Sequence, residues 1–178
     1  GAPMRFGIAL LAGGLALALT PPAAASGTRV SSQYQLARKT ANLKPGEWVW
    51  AESLAPRGPV LVYVDLDRQL ATVYRNGIRI AVSTISSGMP GYETPRGVFT
   101  ILEKEEDHRS STYDNAPIPF QQRLTWKGVA LHAGNLPGYP ASHGCVRLPM
   151  DFAKLLFATT EMGGTVVIAG KHGDPYKK

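Results

Sequence analysis

From Pro59 onward, apolar positions recur with the two-residue period of half-buried strands. Val60-Leu61-Val62-Tyr63-Val64-Asp65-Leu66 and Gln69-Leu70-Ala71-Thr72-Val73-Tyr74 are β-branched and aromatic, and they meet near Asp67-Arg68. Asn76-Gly77 is a type I′ hairpin signal leading into Ile78 to Ile85, so these three runs predict an antiparallel meander. A fourth strand is predicted over Gly97–Leu102 and a fifth over Gln122–Trp126. A turn at Lys127-Gly128 then leads into a sixth, Val129–His132. The period changes at Asp151–Thr160, where Phe152, Leu155 and Leu156 share one helical face and Asp151 is placed to cap the first turn. Gly163-Gly164 ends this helix, and Thr165–Ala169 returns as a strand. Strands dominate and no internal repeat is found, so the pattern predicts a mostly-β, sandwiched or closed domain with one main helix.

Two segments precede this domain. Met4-Arg5, the apolar stretch Phe6–Leu19 and the small residues Ala23-Ala24-Ala25 have the three-part form of a secretory signal peptide, with cleavage expected after Ala25. The apolar stretch is shorter than the ~18–20 residues that span a bilayer. No cysteine lies near the expected cleavage site, which argues against lipoprotein processing. Gly1-Ala2-Pro3 precedes Met4 and is read as lying ahead of the native start. Residues 26–58 are polar and punctuated by proline, and they are expected to form an extension that partly packs on the domain, its first half mobile. Within them, Ser31–Asn42 suits a short helix. Trp48 and Trp50 have strand spacing, suiting core packing better than a glycan-stacking platform. The expected organisation is a leader at 1–25, an extension at 26–58, a domain at 59–170 and a tail at 171–178.

Charge adds little. The chain carries 19 Lys+Arg against 13 Asp+Glu, a formal +6, and loses one unit with Arg5 of the leader. The basic residues are scattered, with no run denser than Lys177-Lys178, so nucleic-acid binding is not expected. A basic exported protein suits an anionic cell envelope.

The chemistry concentrates in Ala141-Ser142-His143-Gly144-Cys145-Val146-Arg147-Leu148, which holds the only cysteine of the sequence. An exported thiol without a partner is free to react, and a neighbouring Arg147 and two histidines suit a lowered thiol pKa. Gly144 lets the backbone turn tightly, making the amides of Gly144 and Cys145 candidate oxyanion donors. Two histidines are candidate bases: His143, two residues away, and His132, at the end of an apolar run. Spacing does not choose between them. His108 and His172 read as solvated loop residues. Zinc would need more than Cys145, His143 and His132 offer, since there is no second cysteine pair and no H-E-x-x-H helix; no metal or cofactor is expected. Arg147 and Arg96 are candidates for holding substrate carboxylates, and a structural ion pair suits Arg147 equally. Ser142 is a candidate substrate contact, and Tyr92, Phe120 and Trp126 are candidate groove walls.

Ser142-His143-Gly144-Cys145-Val146-Arg147, preceded by Leu131-His132, resembles the signature of the L,D-transpeptidases of the YkuD type. Ser87-Gly88 followed by Glu93-Thr94-Pro95-Arg96-Gly97-Val98-Phe99 is similar to the T-P-x-G-x-F stretch of the same family. The resemblance covers about residues 59–170. It implies a β-sandwich-like catalytic domain, in the periplasm or cell wall, acting on peptidoglycan stem peptides. It also implies that Cys145 is the nucleophile and His132 the proton acceptor, its ring oriented by the backbone carbonyl just after it. His143, Gly144 and Arg147 then support them, and carbapenem β-lactams are implied inhibitors. The expected reaction releases a terminal D-alanine and passes the acyl group to an amine. That amine belongs to another stem (a 3→3 cross-link), to a D-amino acid or to a protein; water instead would give an L,D-carboxypeptidase. A wall-binding module that had lost catalysis would be expected to lack Cys145 or His132. Two departures stand out. The interval from His132 to Cys145 is short, implying a reduced lid, and position 133 is Ala133 where glycine or serine is frequent.

Overall fold

The computed structural model of the chain describes residues 1–3 and 27–171. Of the leader expected at 1–25, residues 4–25 lie outside the described residues, as do His172 and the rest of the tail beyond Lys171.

Residues 27–58 are worked into the body. They carry β1 (Gly27–Arg29), α1 (Gln33–Thr40) and β2 (Trp48–Trp50). Ser32 caps α1 by accepting the Gln35 amide at 3.1 Å, and Leu36 is the residue α1 buries. The meander follows as β3 (Val60–Asp65), β4 (Leu70–Arg75) and β5 (Ile78–Thr84), antiparallel throughout. Asn76 and Gly77 have φ of 51° and 76°, the two positive values that a type I′ turn requires. β6 (Gly97–Thr100) completes this half of the chain.

The second half departs further from expectation. β7 (Glu103–Arg109) is a strand where the charged run Glu103–Arg109 read as solvated loop. No residue of β7 is buried, so neither face shows the apolar alternation from which a strand is read. β8 is Pro117–Arg123, several residues earlier than the strand expected at Gln122–Trp126. Pro117 and Pro119 are tolerated because over that stretch β8 pairs with β7 alone, its register with β9 being confined to Gln122 and Arg123. The remaining elements are β9 (Ala130–Ala133), β10 (Val146–Leu148), α2 (Met150–Thr159) and β11 (Thr165–Ala169). The N-cap of α2 is Pro149, with no side-chain cap. Asp151, expected there, lies instead in the first turn, where its carboxylate faces the positive end of the helix.

These elements form two sheets, ordered β1-β2-β5-β4-β3-β11-β6 and β10-β9-β8-β7. The molecule is thus mostly β, with the expected principal helix after Cys145. Val62, Val64, Ala71, Val73, Ile80, Val166 and Ile168 of the first sheet join Leu131, Val146 and Leu148 of the second in one apolar core. α2 packs on β8 and β9 and inserts Phe152 against both tryptophans of β2, with ring centroids 6.2 Å from Trp48 and 5.5 Å from Trp50. The tryptophans therefore pack in the core, as their spacing predicts. Val49, alternating to the opposite face of β2, is buried on the side where α1 lies. At the far end of α2, Lys104 of β7 donates to the carbonyls of Phe157 (2.5 Å) and Thr160 (2.8 Å). This satisfies terminal carbonyls of the helix and binds the second sheet to it.

Candidate active site

Cys145 ends the connection from β9 to β10. The two strands are parallel, with Val146 opposite Leu131 and Arg147 opposite His132. Cys145 therefore arrives beside Ala130, on the strand that carries His132. Of the two candidate bases, the fold makes His132 the buried one, beside the thiol's own strand pair. His143 is exposed, its ring stacked on Tyr113 at 4.5 Å and met edge-on by Tyr92 at 4.8 Å.

The loop bearing Cys145 is shaped by hydrogen bonds to a seam that follows β5. Ser86 and Arg147 exchange backbone bonds of 3.0 and 2.9 Å, and the carbonyl of Ser87 accepts the amides of Ala141 and Ser142, each at 3.0 Å. The Ser86 hydroxyl donates to the Tyr139 carbonyl and accepts the Ala141 amide. Gln69 holds Ser87 from the other side, through its amide nitrogen to the hydroxyl at 2.8 Å and its oxygen from the backbone N–H at 3.0 Å. Thr94 is buried; its hydroxyl accepts from the Gly88 amide and donates to the Gly144 carbonyl, at 2.9 and 2.8 Å. Gly88 has no alternative here, because a Cβ would lie 1.8 Å from the Tyr92 carbonyl oxygen. The Ser87-Gly88 and Thr94-Pro95 stretches noted in the sequence are thus the struts of the cysteine loop.

The electrostatics differ from expectation. Burial pushes the Cys145 thiol above its usual range; the Ala130 amide and the charges of Arg123 and Arg147 work in the opposite direction without overcoming it. Burial likewise holds His132 below the usual histidine range, helped by Arg147 and His108 and opposed by its bond to Ala133. The resting pair is a neutral thiol and a neutral imidazole, not the activated thiolate that the neighbouring cations suggested. His132 Nδ1 lies 2.7 Å from the Ala133 carbonyl oxygen, which only accepts, so Nδ1 carries the proton and Nε2 is left basic. Ala133 serves in this through its backbone alone. Cys145 Sγ donates to the Gly128 carbonyl at 3.3 Å.

Gly144 has φ of 124°, which suits glycine, but its amide donates to Ser142 Oγ at 3.1 Å and so is engaged within the turn. Of the two expected oxyanion donors, the Cys145 amide is the one left for that role. Ser142 also donates to the Cys145 carbonyl at 2.5 Å, so its hydroxyl shapes the turn.

Cys145, His132, His143, Gly144, Ser142 and Arg147 all border one cleft of about 610 Å³. The three aromatic residues expected to wall it do not. Phe120, with φ of 55°, packs edge-on against Phe157 at 5.7 Å on the core side. Trp126 is 70% exposed on the turn before β9, and the Tyr92 ring meets the edge of His143 without bordering the cleft. The opposite wall comes from residues that the sequence did not single out, among them Tyr113, Ile118 and Gln121 of the β7–β8 hairpin. His108, read as a loop residue, lies on β7, pairs with Glu105 and borders the same cleft. Arg96 donates to the Gly170 carbonyl at 3.4 Å and does not border it.

The L,D-transpeptidase catalytic domain family (YkuD) matches residues 59–168. Among solved structures, an L,D-transpeptidase from Stackebrandtia nassauensis is 32% identical with a TM-score of 0.60, over 67% of this chain and 60% of that one. An L,D-transpeptidase from Mycobacterium smegmatis is 27% identical with a TM-score of 0.57, over 62% of this chain and 58% of that one. LD transpeptidase LdtMt1, solved in complex with imipenem, is 25% identical with a TM-score of 0.58, over 62% of this chain and 58% of its own. The match spans about three fifths of the length of these relatives. No match is found among curated proteins. The fold, the two motif stretches and the family match agree: the chain belongs to the L,D-transpeptidase catalytic domain family.

Proposed function

We propose that the protein is an exported, cysteine-dependent L,D-transpeptidase that acts on peptidoglycan stem peptides in the periplasm or cell wall. The observation that carries this reading is the placement of Cys145 at the head of β10, beside the parallel strand β9 that holds His132, both bordering one cleft, with the imidazole tautomer fixed by the Ala133 carbonyl. The signal-like sequence of residues 4–25 supports export. As substrate binds, the Cys145 proton passes to His132 Nε2 and the sulfur attacks the carbonyl carbon of the third stem residue, a diamino acid. The Cys145 amide faces the developing oxyanion. The bond to the terminal D-alanine breaks, its nitrogen takes the proton from His132, and a thioester remains. An amine then attacks the thioester and gives its proton to His132; the carbon–sulfur bond breaks and the thiol regains the proton. The acceptor amine is that of another stem, a D-amino acid or a protein lysine.

Intact-mass analysis of the protein with imipenem tests the nucleophile. One adduct is expected, localised to Cys145 and absent from Cys145→Ala; an adduct that survives this substitution overturns the assignment. Incubation with tetrapeptide muropeptides then tests the reaction, with cross-linked dimers or D-amino acid exchange expected. Tripeptide as the sole product would make the enzyme an L,D-carboxypeptidase.

A further inference from the structure

The cationic side chains around the cleft are not equivalent. Arg123 donates through Nε to Glu103 at 3.0 Å, and His108 pairs with Glu105. Both are compensated by carboxylates from β7. Arg147 lies across Gly134, where an added Cβ would meet its Cγ at 3.0 Å, and Nη1 reaches only the neutral Asn135 carbonyl at 3.4 Å. Lys127 is exposed at the cleft, and among the described residues no hydrogen bond or ion pair engages its ammonium. No aspartate or glutamate is among the described residues that border the cleft. Two cations therefore face it without a protein counter-charge.

Their placement follows from the strand register. Lys127 sits in the turn entering β9, Cys145 arrives beside Ala130, and Arg147 lies opposite His132. Along the axis of β9 the order is Lys127, thiol, Arg147, with one free cation on each side of the sulfur. The backbone under Lys127 is fixed. The Gly128 amide donates to the Thr125 carbonyl at 3.2 Å, the Val129 amide to Thr125 Oγ1 at 3.1 Å, and the Gly128 carbonyl accepts from the thiol itself. Lys127 is exposed and borders the cleft, so its ammonium is open to whatever enters it.

We infer that Lys127 is a specificity-determining residue that reads a free carboxylate on the peptide substrate, on the side of the scissile bond away from Arg147. The inference deepens the proposed function and rests on it for the identity of the peptide. A lysine suits the task, since its compact charge on a flexible stem accepts a carboxylate without the fixed approach that a guanidinium demands. The shared chemistry is a carboxylate. It has two sources in a stem peptide, a side-chain or α-carboxylate within the acyl part and the carboxylate of the terminal residue, and separately amidated peptides distinguish them.

The test measures binding, so that it does not depend on turnover. Tetrapeptide with free carboxylates, and analogues amidated within the acyl part or at the C-terminus, are titrated calorimetrically into Cys145→Ala protein, with and without Lys127→Met or Lys127→Arg. One of the amidations is expected to weaken binding about tenfold, the scale of a partly exposed charge-assisted hydrogen bond. Lys127→Met is expected to abolish that difference, Lys127→Arg to keep most of it, and added salt to shrink it. Equal binding of all three peptides overturns the inference, as does a loss in Lys127→Met that is the same for every peptide. Carboxylate-dependent binding without turnover in the Cys145 protein would sustain the carboxylate site and sink the transpeptidase reading instead. Alkylation of Cys145 by iodoacetamide in Lys127→Met, at the rate of the unsubstituted protein, shows that the site has folded.

Discussion

The first sheet is seven strands wide, apolar within, and closed by a helix-borne phenylalanine between two tryptophans. The second has four strands and borders most of the cleft, with His132 on β9 and Cys145 at the head of β10. The wider sheet supplies most of the core and the narrower one most of the candidate site. The narrower sheet and its cysteine loop are tied to the rest of the molecule by the Ser86–Gly88 seam, by the Thr94 hydroxyl, and by the sheet's own Lys104, which reaches out to the end of α2.

The largest effect that would sharpen this contrast is on the reactive side. His132→Ala is expected to lower the rate of Cys145 acylation by imipenem about 10²- to 10⁴-fold, the usual contribution of a positioned base. His143→Ala, which removes an exposed ring held between two tyrosines, is expected to cost far less. A reversal of that order would transfer the base to His143. On the scaffold side, Phe152→Ala is expected to destabilise the protein by about 3–5 kcal/mol in denaturant unfolding, through the cavity left against Trp48 and Trp50. The acylation rate per folded molecule should change little. A large fall in that rate would mean that the two regions are not separable.

The seam lies between them. Thr94→Val keeps the shape of the side chain but strands the Gly88 amide and the Gly144 carbonyl, at an expected cost of about 1–3 kcal/mol. Unlike Phe152→Ala it is expected to slow acylation per folded molecule as well, because Gly144 adjoins Cys145. A loss of stability with the rate intact would make Thr94 merely structural.

The smallest effect concerns pH. His132 is held below the ordinary histidine value, so the acid limb of the acylation profile is expected below that value, activity falling as the imidazole gains its proton. Arg147 is one of the charges holding it down, and Arg147→Gln is expected to move the limb back toward the ordinary value. A limb at or above the ordinary histidine value in the unsubstituted protein would contradict the buried, neutral imidazole.

The meander β3–β5 was legible because each strand buries one face and Asn76-Gly77 names its own turn. β7 was not, because a strand exposed on both faces leaves no period to read. Cys145 and its frame were legible as chemistry, and the resemblance selected His132. Local sequence suggested an activated thiol from the nearby cations, whereas burial, which depends on residues far along the chain, dominates in the fold. The groove walls were not legible for a related reason. Tyr92, Phe120 and Trp126 were chosen as aromatic residues, but which side chains of the β7–β8 hairpin face the cleft is set by the fold: Ile118 and Gln121 border it while Phe120 between them packs on Phe157.

The contacts that shape the cysteine loop are also remote in sequence. The bond from Thr94 to Gly144 joins residues 50 apart, and that from Ala141 to Ser86 joins residues 55 apart. Such contacts form only after long segments of chain have been brought together, so loop closure delays them in folding. The geometry around Cys145 therefore depends on segments far apart in the chain, and a local peptide carrying Ser142–Arg147 alone would lack the bonds that shape its loop.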